Sequence, residues 1–172
     1  MPIKFDLSKH RHNRIFIETG TYKGDGVKLA LKAGFDIVCS IEIDLKRCQE
    51  NMVRFKDNNN VFLYHGDSSV VLNEILNEID EPCTFWLDAH YDYDGSTRGK
   101  ELTPIRTELD IICNHSVKNH VILIDDLRDF DRFKHYPGIS YTLKKIKEIN
   151  KDYEIEYLEG IIKNDVLKAY IK

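Results

Sequence analysis

Short apolar runs alternate with longer amphipathic runs along most of the chain, and this alternation is the strongest pattern in the sequence. The short runs are rich in β-branched and aromatic residues and end in glycine or acidic residues, as buried strands commonly do. Five such strands are predicted, at residues 14–20, 37–43, 61–64, 83–87 and 121–124. Because these runs are apolar without a break, they favour a parallel sheet that is covered on both faces.

The segments between the strands have the apolar spacing of amphipathic helices, with capping residues at their ends. Asp44 and Asp67 stand at the N-caps of the second and third helices, and Gly34 follows the first. Pro104 fits the first turn of the fourth helix. The predicted helices are at residues 25–33, 45–55, 67–79, 104–112 and 140–150. Strand–helix–strand units of this kind place helices on both faces of the sheet, through right-handed crossovers.

The C-terminal region has a different pattern. Residues 153–159 and 165–172 alternate apolar and polar positions around Gly160 and Asn164, which predicts an antiparallel hairpin with one solvated face. The predicted fold class is therefore α/β, a doubly wound and mostly parallel sheet that ends in an antiparallel hairpin. A length of 172 residues favours a single domain over residues 1–172, with residues 1–13 as an N-terminal arm.

Composition and charge narrow the classes of function. Lys and Arg number 25 against 29 Asp and Glu, a net charge of −4 without charged blocks, which argues against a dedicated nucleic-acid binder. No apolar run approaches the roughly 20 residues of a membrane span, and the N-terminus lacks the apolar centre of a signal peptide. The dispersed cysteines are typical of reduced thiols: Cys39, Cys48, Cys83 and Cys113. We therefore expect a cytoplasmic enzyme or binding module.

Acidic residues stand at the carboxyl ends of all five predicted strands, where open α/β sheets bind their ligands. The polar groups at these ends are Glu18, Gly20 and Gly24, then Glu42 and Asp44, then Gly66, Asp67 and Ser68, then Asp88 and His90, and finally Asp125 and Asp126. Turns and helix caps explain any one of these groups equally well. Acids at five strand ends together favour a ligand site along this edge of the sheet.

The glycine loop after the first strand narrows the choice of ligand. Its glycines, at positions 20, 24 and 26, do not have the spacing of a dinucleotide fingerprint, and no Gly-Lys-Ser/Thr of a P-loop follows. The loop instead suits a cofactor with a nucleoside and an amino-acid portion but no phosphate.

The ordered set of motifs resembles the class I S-adenosylmethionine-dependent methyltransferases. Glu18-x-Gly20-x-x-x-Gly24 is similar to the family's first motif, and Glu42 to the acid that holds the ribose hydroxyls. Asp67 and Ser68 correspond to the adenine contact. The cofactor-binding residues that the resemblance implies are Glu18, Gly20, Thr21, Tyr22, Gly24, Glu42, Ile43, Asp67, Ser68 and Asp88. It also implies a Rossmann-like sheet of seven strands in the order 3-2-1-4-5-7-6.

The fourth and fifth strands are neighbours in that family, so Asp88, Asp125 and Asp126 are expected to converge. Crowded carboxylates repel one another, and a hard divalent cation such as Mg²⁺ offsets the repulsion. The arrangement is similar to the metal-dependent O-methyltransferases of the catechol and macrocin types, which implies these three residues as metal ligands. The sequence departs from that pattern because the usual lysine beside the metal is absent. The alternative to a metal site is that these acidic residues only cap helices or accept hydrogen bonds.

His90 and Asp88 are the candidate catalytic residues. An imidazole titrates near neutral pH, so His90 could accept the proton of an acceptor hydroxyl; a substrate contact or a bystander role is the alternative. Substrate contacts are expected from the loops at residues 92–100 and 128–136, or these loops form a solvated lid. Similarity to sugar- and glycan-modifying enzymes that carry Asp-Ala-His implies a saccharide acceptor.

The predicted function is thus Mg²⁺-assisted, S-adenosylmethionine-dependent O-methylation of a hydroxyl on a sugar or other small polyol. One alternative is a metal-independent methyltransferase that acts on another acceptor, such as a nitrogen. The other is a non-catalytic module that keeps the cofactor fold as a binding surface. Neither nucleic acid nor membrane is an expected partner, and the exposed edge of the terminal hairpin would allow a homodimer.

Overall fold

The computed structural model describes residues 5–91 and 97–172 of the chain. Residues 1–4 of the predicted N-terminal arm and residues 92–96 of the predicted substrate loop lie outside the described residues. The strands are β1 (Ile15–Thr19), β2 (Ile37–Glu42), β3 (Val61–His65), β4 (Cys83–Leu87), β5 (Val121–Ile124), β6 (Glu154–Leu158) and β7 (Val166–Tyr170). The helices are α1 (Asp25–Ala33), α2 (Leu45–Arg54), α3 (Ser68–Asn77), α4 (Ile105–Asn114) and α5 (Ile139–Ile149), with short 3₁₀ helices at Leu7–His10 and Leu127–Arg132.

The seven strands form one sheet in the order β3-β2-β1-β4-β5-β7-β6. Strands β1 to β5 pair in parallel, whereas β7 runs antiparallel to both of its neighbours, β5 and β6. This confirms the predicted fold class, including the strand order that the family resemblance implied.

The central strands are mainly apolar, and both of their faces are buried. On one face Phe16 and Trp86 pack in a cluster that includes Val27 of α1, and all three side chains are at most 1% exposed. On the other face Ile17 and Phe85 belong to a cluster that draws on α3, α4 and α5. Successive strand residues point to opposite faces, so a continuous apolar run serves two cores at once.

Two local features differ from the sequence prediction. Strand β3 lies at the edge of the sheet beside β2, and Phe62 is 46% exposed instead of buried. The predicted loop at residues 128–136 overlaps the 3₁₀ helix Leu127–Arg132. Within residues 5–91 and 97–172, no helix is both long enough and apolar enough to cross a bilayer.

Strand register sets the position of the candidate site. Thr19 pairs with Leu87, and Leu87 pairs with Ile124, so β1, β4 and β5 end at the same level. The amide of Asp88 donates to the Thr19 carbonyl at 3.2 Å, and the amide of Asp125 donates to the Leu87 carbonyl at 3.2 Å. The loops that leave these three strands therefore begin side by side.

Candidate functional site

A cleft of about 280 Å³ lies at the carboxyl ends of β1, β2, β3 and β4. Among the predicted cofactor residues, those that line it are Gly20, Tyr22, Glu42, Ile43, Asp67, Ser68 and Asp88. The turn after β1 needs glycine at its first position, because Gly20 has a φ of +86° and a Cβ there would lie 2.7 Å from the Asp88 carbonyl oxygen. This close approach joins the β1 and β4 loops at the floor of the cleft.

The other predicted cofactor residues, Glu18, Thr21 and Gly24, do not line the cleft. The Ser40 hydroxyl donates to Glu18 at 2.6 Å and lies 2.6 Å from the Thr21 hydroxyl. Burial raises the pKa of the Glu18 carboxyl to about 8, although the Ser40 hydrogen bond opposes that shift. A Cβ on Gly26 would collide with the same carboxyl. These residues therefore support the glycine loop from behind.

Glu42 is held by two backbone amides at the end of β2. The amide of Tyr22 donates to its Oε2 at 2.7 Å, and the amide of Asp44 donates to its Oε1 at 2.9 Å. Burial raises the pKa of Glu42, with these two hydrogen bonds acting in the opposite direction. The carboxyl is thus fixed in orientation while it faces the cleft, as a group that binds two neighbouring hydroxyls requires.

Asp67 connects α3 to the segment that follows residues 92–96. Its Oδ1 caps α3 by accepting from the amide of Ser69 at 3.0 Å, and its Oδ2 accepts from the amide of Lys100 at 3.0 Å. The Thr97 hydroxyl donates to Asp44 at 2.6 Å. Residues 97–100 of the predicted substrate loop therefore attach to the rim of the cofactor cleft, and Thr97 and Gly99 line it.

The predicted catalytic residues lie where β4 leaves the sheet, and both line the cleft. The Nδ1 atom of His90 is 3.2 Å from Asp126 Oδ2 and 3.6 Å from Asp88 Oδ1. Burial raises the pKa of Asp88 to about 6, with repulsion from Asp126 adding to it and attraction to His90 opposing it. An imidazole held at Nδ1 by a carboxylate presents Nε2 as its proton acceptor.

The predicted metal ligands fall into two overlapping groups. Asp88, His90 and Asp126 offer ligand atoms within 4.8 Å of one another, and so do Asp125, Asp126 and Asp165. Burial, together with repulsion from the neighbouring carboxylates, raises the pKa of Asp125 to about 7. Asp126 therefore belongs to both groups, whereas Asp88 belongs to the first group and Asp125 to the second.

Arg128 brings positive charge to this cluster. Its guanidinium lies 2.6 Å from Asp126 Oδ1 and 2.6 Å from Asp165 Oδ2. Asp165 precedes β7 and is fully buried, yet the sequence reasoning assigned it only to the hairpin. No local pattern marks the contact, because Arg128 and Asp165 are separated by 37 positions in the chain.

Glu108 is a second residue that the sequence reasoning missed. It lies in the first turn of α4 with 1% exposure, and the Ser68 hydroxyl donates to its Oε1 at 2.6 Å. Burial raises the pKa of Glu108 to about 7, and the hydrogen bond from Ser68 opposes the shift. A signal was present in the sequence: Glu108 lies three positions after Ile105 and beside Leu109, on the apolar face of the helix.

A small second cavity of about 10 Å³ shares Asp88 and His90 with the cofactor cleft. Its polar lining includes Glu108, Asp125 and Asp126. Its other lining residues include Leu87, Ala89, Ile105, Ile124, Phe130 and Tyr136. Asp88 and His90 therefore line both cavities.

Comparison with known proteins supports the fold. No protein-family model matches the chain, and no curated protein sequence is detectably similar to it. A Staphylococcus aureus structure, provisionally assigned as a caffeoyl-CoA O-methyltransferase, has a TM-score of 0.61 at 13% identity over 96% of this chain and 79% of that one. A Clostridium thermocellum structure, provisionally assigned as an rRNA methylase, has a TM-score of 0.61 at 16% identity over 100% of both chains.

A Streptococcus mutans structure provisionally described as a methyltransferase contains S-adenosylhomocysteine (SAH). Its TM-score is 0.59 at 14% identity, over 98% of both chains. Identities this low establish similarity of fold. The chain has the fold of the class I S-adenosylmethionine-dependent methyltransferases, as its motifs implied.

Proposed function

We propose that this protein is an S-adenosylmethionine-dependent O-methyltransferase that acts on a hydroxyl of a saccharide or other small polyol, assisted by a divalent cation. The observation that carries the proposal is that Asp88 and His90 line both the cofactor cleft and the small second cavity. A methyl group delivered from the cleft would meet an acceptor oxygen beside these two side chains.

The residues of the larger cleft fit the cofactor. Glu42, fixed by two amides, would accept hydrogen bonds from both ribose hydroxyls. The loop at Gly20 leads into the N-terminus of α1, whose partial positive charge favours the methionine carboxylate. Ile43 and Asp67 line the part of the cleft that would receive the adenine. S-adenosylmethionine supplies an electrophilic methyl group on a sulfonium.

The acidic cluster fits a divalent cation by its charge. Its carboxylates are Asp88, Asp125, Asp126 and Asp165, and the structure places Arg128 and His90 against them. The negative charge of four carboxylates exceeds the positive charge that Arg128 and His90 can supply. Mg²⁺ favours carboxylate oxygens as ligands. Asp125 and Asp126, whose ligand atoms lie within 4.8 Å of each other, would hold the ion, whereas Asp88 belongs to the neighbouring group with His90. A bound cation lowers the pKa of a hydroxyl that coordinates it.

His90 is the proton acceptor in this proposal. Asp126, 3.2 Å from Nδ1, orients the imidazole so that Nε2 can take the proton of the acceptor hydroxyl. As the new carbon–oxygen bond forms, the carbon–sulfur bond breaks, and its electron pair stays on the sulfur of SAH. The protein contributes mainly by alignment, since the oxygen, the methyl carbon and the sulfur must be collinear at near-attack distance.

A metal-independent methyltransferase is the second candidate. Arg128 already lies 2.6 Å from Asp126, the residue shared by both acidic groups. With the negative charge of Asp126 balanced by Arg128, His90 could act as the general base, oriented by Asp126, without a cation.

The test combines thermal melts with a transfer assay. SAH at one hundred times its Kd stabilises by about 2.7 kcal/mol, which is a rise in Tm of roughly 5–11 °C for a chain of this size. We expect that rise, and we expect transfer of tritiated methyl from S-adenosylmethionine to methyl glycosides to be lost in EDTA and restored by Mg²⁺. Transfer unaffected by EDTA would select the metal-independent candidate. No stabilisation by SAH would contradict both and favour a non-catalytic module.

A further inference from the structure

The acidic group of Asp125, Asp126 and Asp165 already contains a positive charge, the guanidinium of Arg128. Its Nη2 lies 2.6 Å from Asp126 Oδ1, and its Nη1 lies 2.6 Å from Asp165 Oδ2. The ligand atoms of the three acidic residues lie within 4.8 Å of one another. Arg128 therefore bridges two of the three carboxyls that could bind a metal ion.

This bridge is anchored at the Asp165 end. Asp165 is fully buried, and its Oδ1 also accepts from the backbone amide of Arg128 at 3.1 Å. The Arg128 side chain is only 21% exposed. Water and salt screen a partly buried charge much less than an exposed one. The charge of Arg128 therefore acts on the neighbouring carboxyls almost unscreened.

Both carboxylate oxygens of Asp126 already have a nitrogen partner. Arg128 contacts Oδ1, and His90 Nδ1 lies 3.2 Å from Oδ2. Mg²⁺ binds carboxylate oxygens at about 2.0–2.1 Å, closer than either nitrogen. A cation that binds Asp126 must therefore take an oxygen from one of these partners, and Arg128 carries the like charge that would repel it.

We propose that Arg128 is a resident counter-ion that competes with a divalent cation for Asp126 and thereby sets the affinity of the acidic group for the cation. When the cation binds Asp125 and Asp126, the guanidinium withdraws from Asp126, and Asp165 remains its partner. This explains why a third acid that is not among the proposed ion ligands lies in the group. The assignment rests on the divalent cation of the proposed function and states what controls its binding.

The first test measures Mn²⁺ binding to the full chain by the electron paramagnetic resonance signal of the free ion. For Arg128→Met we expect the Kd of Mn²⁺ to fall by about 10–100-fold, because a like charge at short range is removed from a poorly screened site. Arg132→Met is the matched control. It removes the same charge from the same 3₁₀ helix, but Arg132 is 70% exposed and pairs with Asp129 at 3.7 Å. Its Kd should stay within about twofold of the wild-type value, since solvent screens that charge.

The second test asks whether a guanidinium and the ion compete for the same place. Arg128→Ala leaves room for a free guanidinium ion. Guanidinium chloride, far below the concentrations that unfold the protein, should raise the apparent Kd of Mn²⁺ for Arg128→Ala and leave that of the wild type unchanged. Sodium chloride at the same ionic strength is the control. A purely structural role of Arg128 would not produce this competition.

A third measurement uses the wild type, because loss of Arg128 leaves Asp165 buried without its partner and can prevent folding. The Nε–H signal of Arg128 in an ¹⁵N-labelled sample should shift as Mg²⁺ is added, with the same midpoint as the displacement of Mn²⁺ by Mg²⁺. A signal that stays unchanged while Mg²⁺ binds would overturn the proposal.

The remaining outcomes separate this proposal from the proposed function. The same Kd of Mn²⁺ in Arg128→Met, Arg132→Met and the wild type would overturn the counter-ion role and leave the methyltransferase proposal intact. Absence of Mn²⁺ binding in all three proteins would overturn the counter-ion role and also remove the cation from the proposed function. Stabilisation by SAH tests the cofactor site independently of both results.

Discussion

The two halves of the candidate site hold their carboxyl groups in different ways. In the half formed by β1, β2 and β3, the two carboxyls that line the cleft accept from the backbone: Glu42 from two amides, and Asp67 from the amides of Ser69 and Lys100. In the half formed by β4 and β5, carboxyls lie close to one another: burial and repulsion from Asp126 raise the pKa of Asp88, and burial and repulsion from Asp88 and Asp126 raise the pKa of Asp125.

This difference separates a preformed binding surface from one that is completed by its ligands. Backbone amides fix a carboxylate before the cofactor arrives, so binding costs little reorganisation. Clustered acids store unfavourable free energy that a cation, a proton or a substrate hydroxyl can relieve. We therefore expect substitutions in the first half to affect cofactor affinity, and those in the second half to affect turnover and pH dependence.

The largest effect is expected for Asp125→Ala. Loss of a cation ligand should reduce methyl transfer by about 10²–10³-fold, because the bound ion supplies several kcal/mol of charge stabilisation. The Kd of SAH should stay within a few-fold of the wild-type value, since Asp125 does not line the cofactor cleft. Calorimetry and a radiolabelled transfer assay measure the two effects. Asp57→Ala, in an exposed turn, is the control, and retained turnover in Asp125→Ala would remove this residue from the mechanism.

The next effect is on the pH dependence of folding. Burial raises the pKa of Glu108 from 4.5 to about 7, so its carboxyl stabilises the folded state below pH 4.5 and loses this contribution as the pH rises through 7. The full loss is about 3 kcal/mol, since one pKa unit corresponds to about 1.4 kcal/mol. Urea unfolding in EDTA at pH 5 and pH 8 should therefore show a smaller decrease for Glu108→Gln than for the wild type.

Glu74→Gln should retain the wild-type pH profile, because its side chain is exposed. Parallel profiles for Glu108→Gln and the wild type would mean that the Glu108 carboxyl has no raised pKa in the folded protein.

The smallest effect is expected for Glu42→Gln, which tests the half of the site formed by β1, β2 and β3. Replacing a charged hydrogen-bond acceptor by a neutral one should weaken the binding of SAH by about 10–100-fold, which is the contribution of a pair of charge-assisted hydrogen bonds. The expected loss is in cofactor affinity, with turnover at saturating cofactor less affected. Isothermal titration with Glu50→Gln, exposed on α2, as the control measures it. Unchanged affinity would place the ribose away from Glu42.

Much of the fold follows from local sequence patterns. The continuous apolar runs of β1, β2, β4 and β5 predicted strands that are buried on both faces, and Asp44 and Asp67 cap the helices they were expected to cap. Strand β3 deviates because exposure depends on neighbours: an edge strand looks much like a central one in sequence, yet Phe62 is 46% exposed.

The site was predictable to the extent that topology brings strand ends together. Glu42, Asp67, Asp88 and His90 were singled out by their position after a strand, and all four line the cofactor cleft. Glu18, chosen by the same reasoning, lies behind the glycine loop and bonds to Ser40 of the adjacent strand. Residue type and strand position do not specify which way a side chain points or what it meets.

The sequence alone thus determined the α/β class, the hairpin and the acidic edge of the sheet, because periodicity and capping act over a few neighbouring residues. Only the tertiary structure decided that Arg128 joins Asp126 to Asp165 and that Ser68 meets Glu108. The second contact spans 40 positions in the chain. Contacts of that range are set by how helices pack on the sheet, so the charge balance around Asp126 and the small second cavity become visible only in the folded protein.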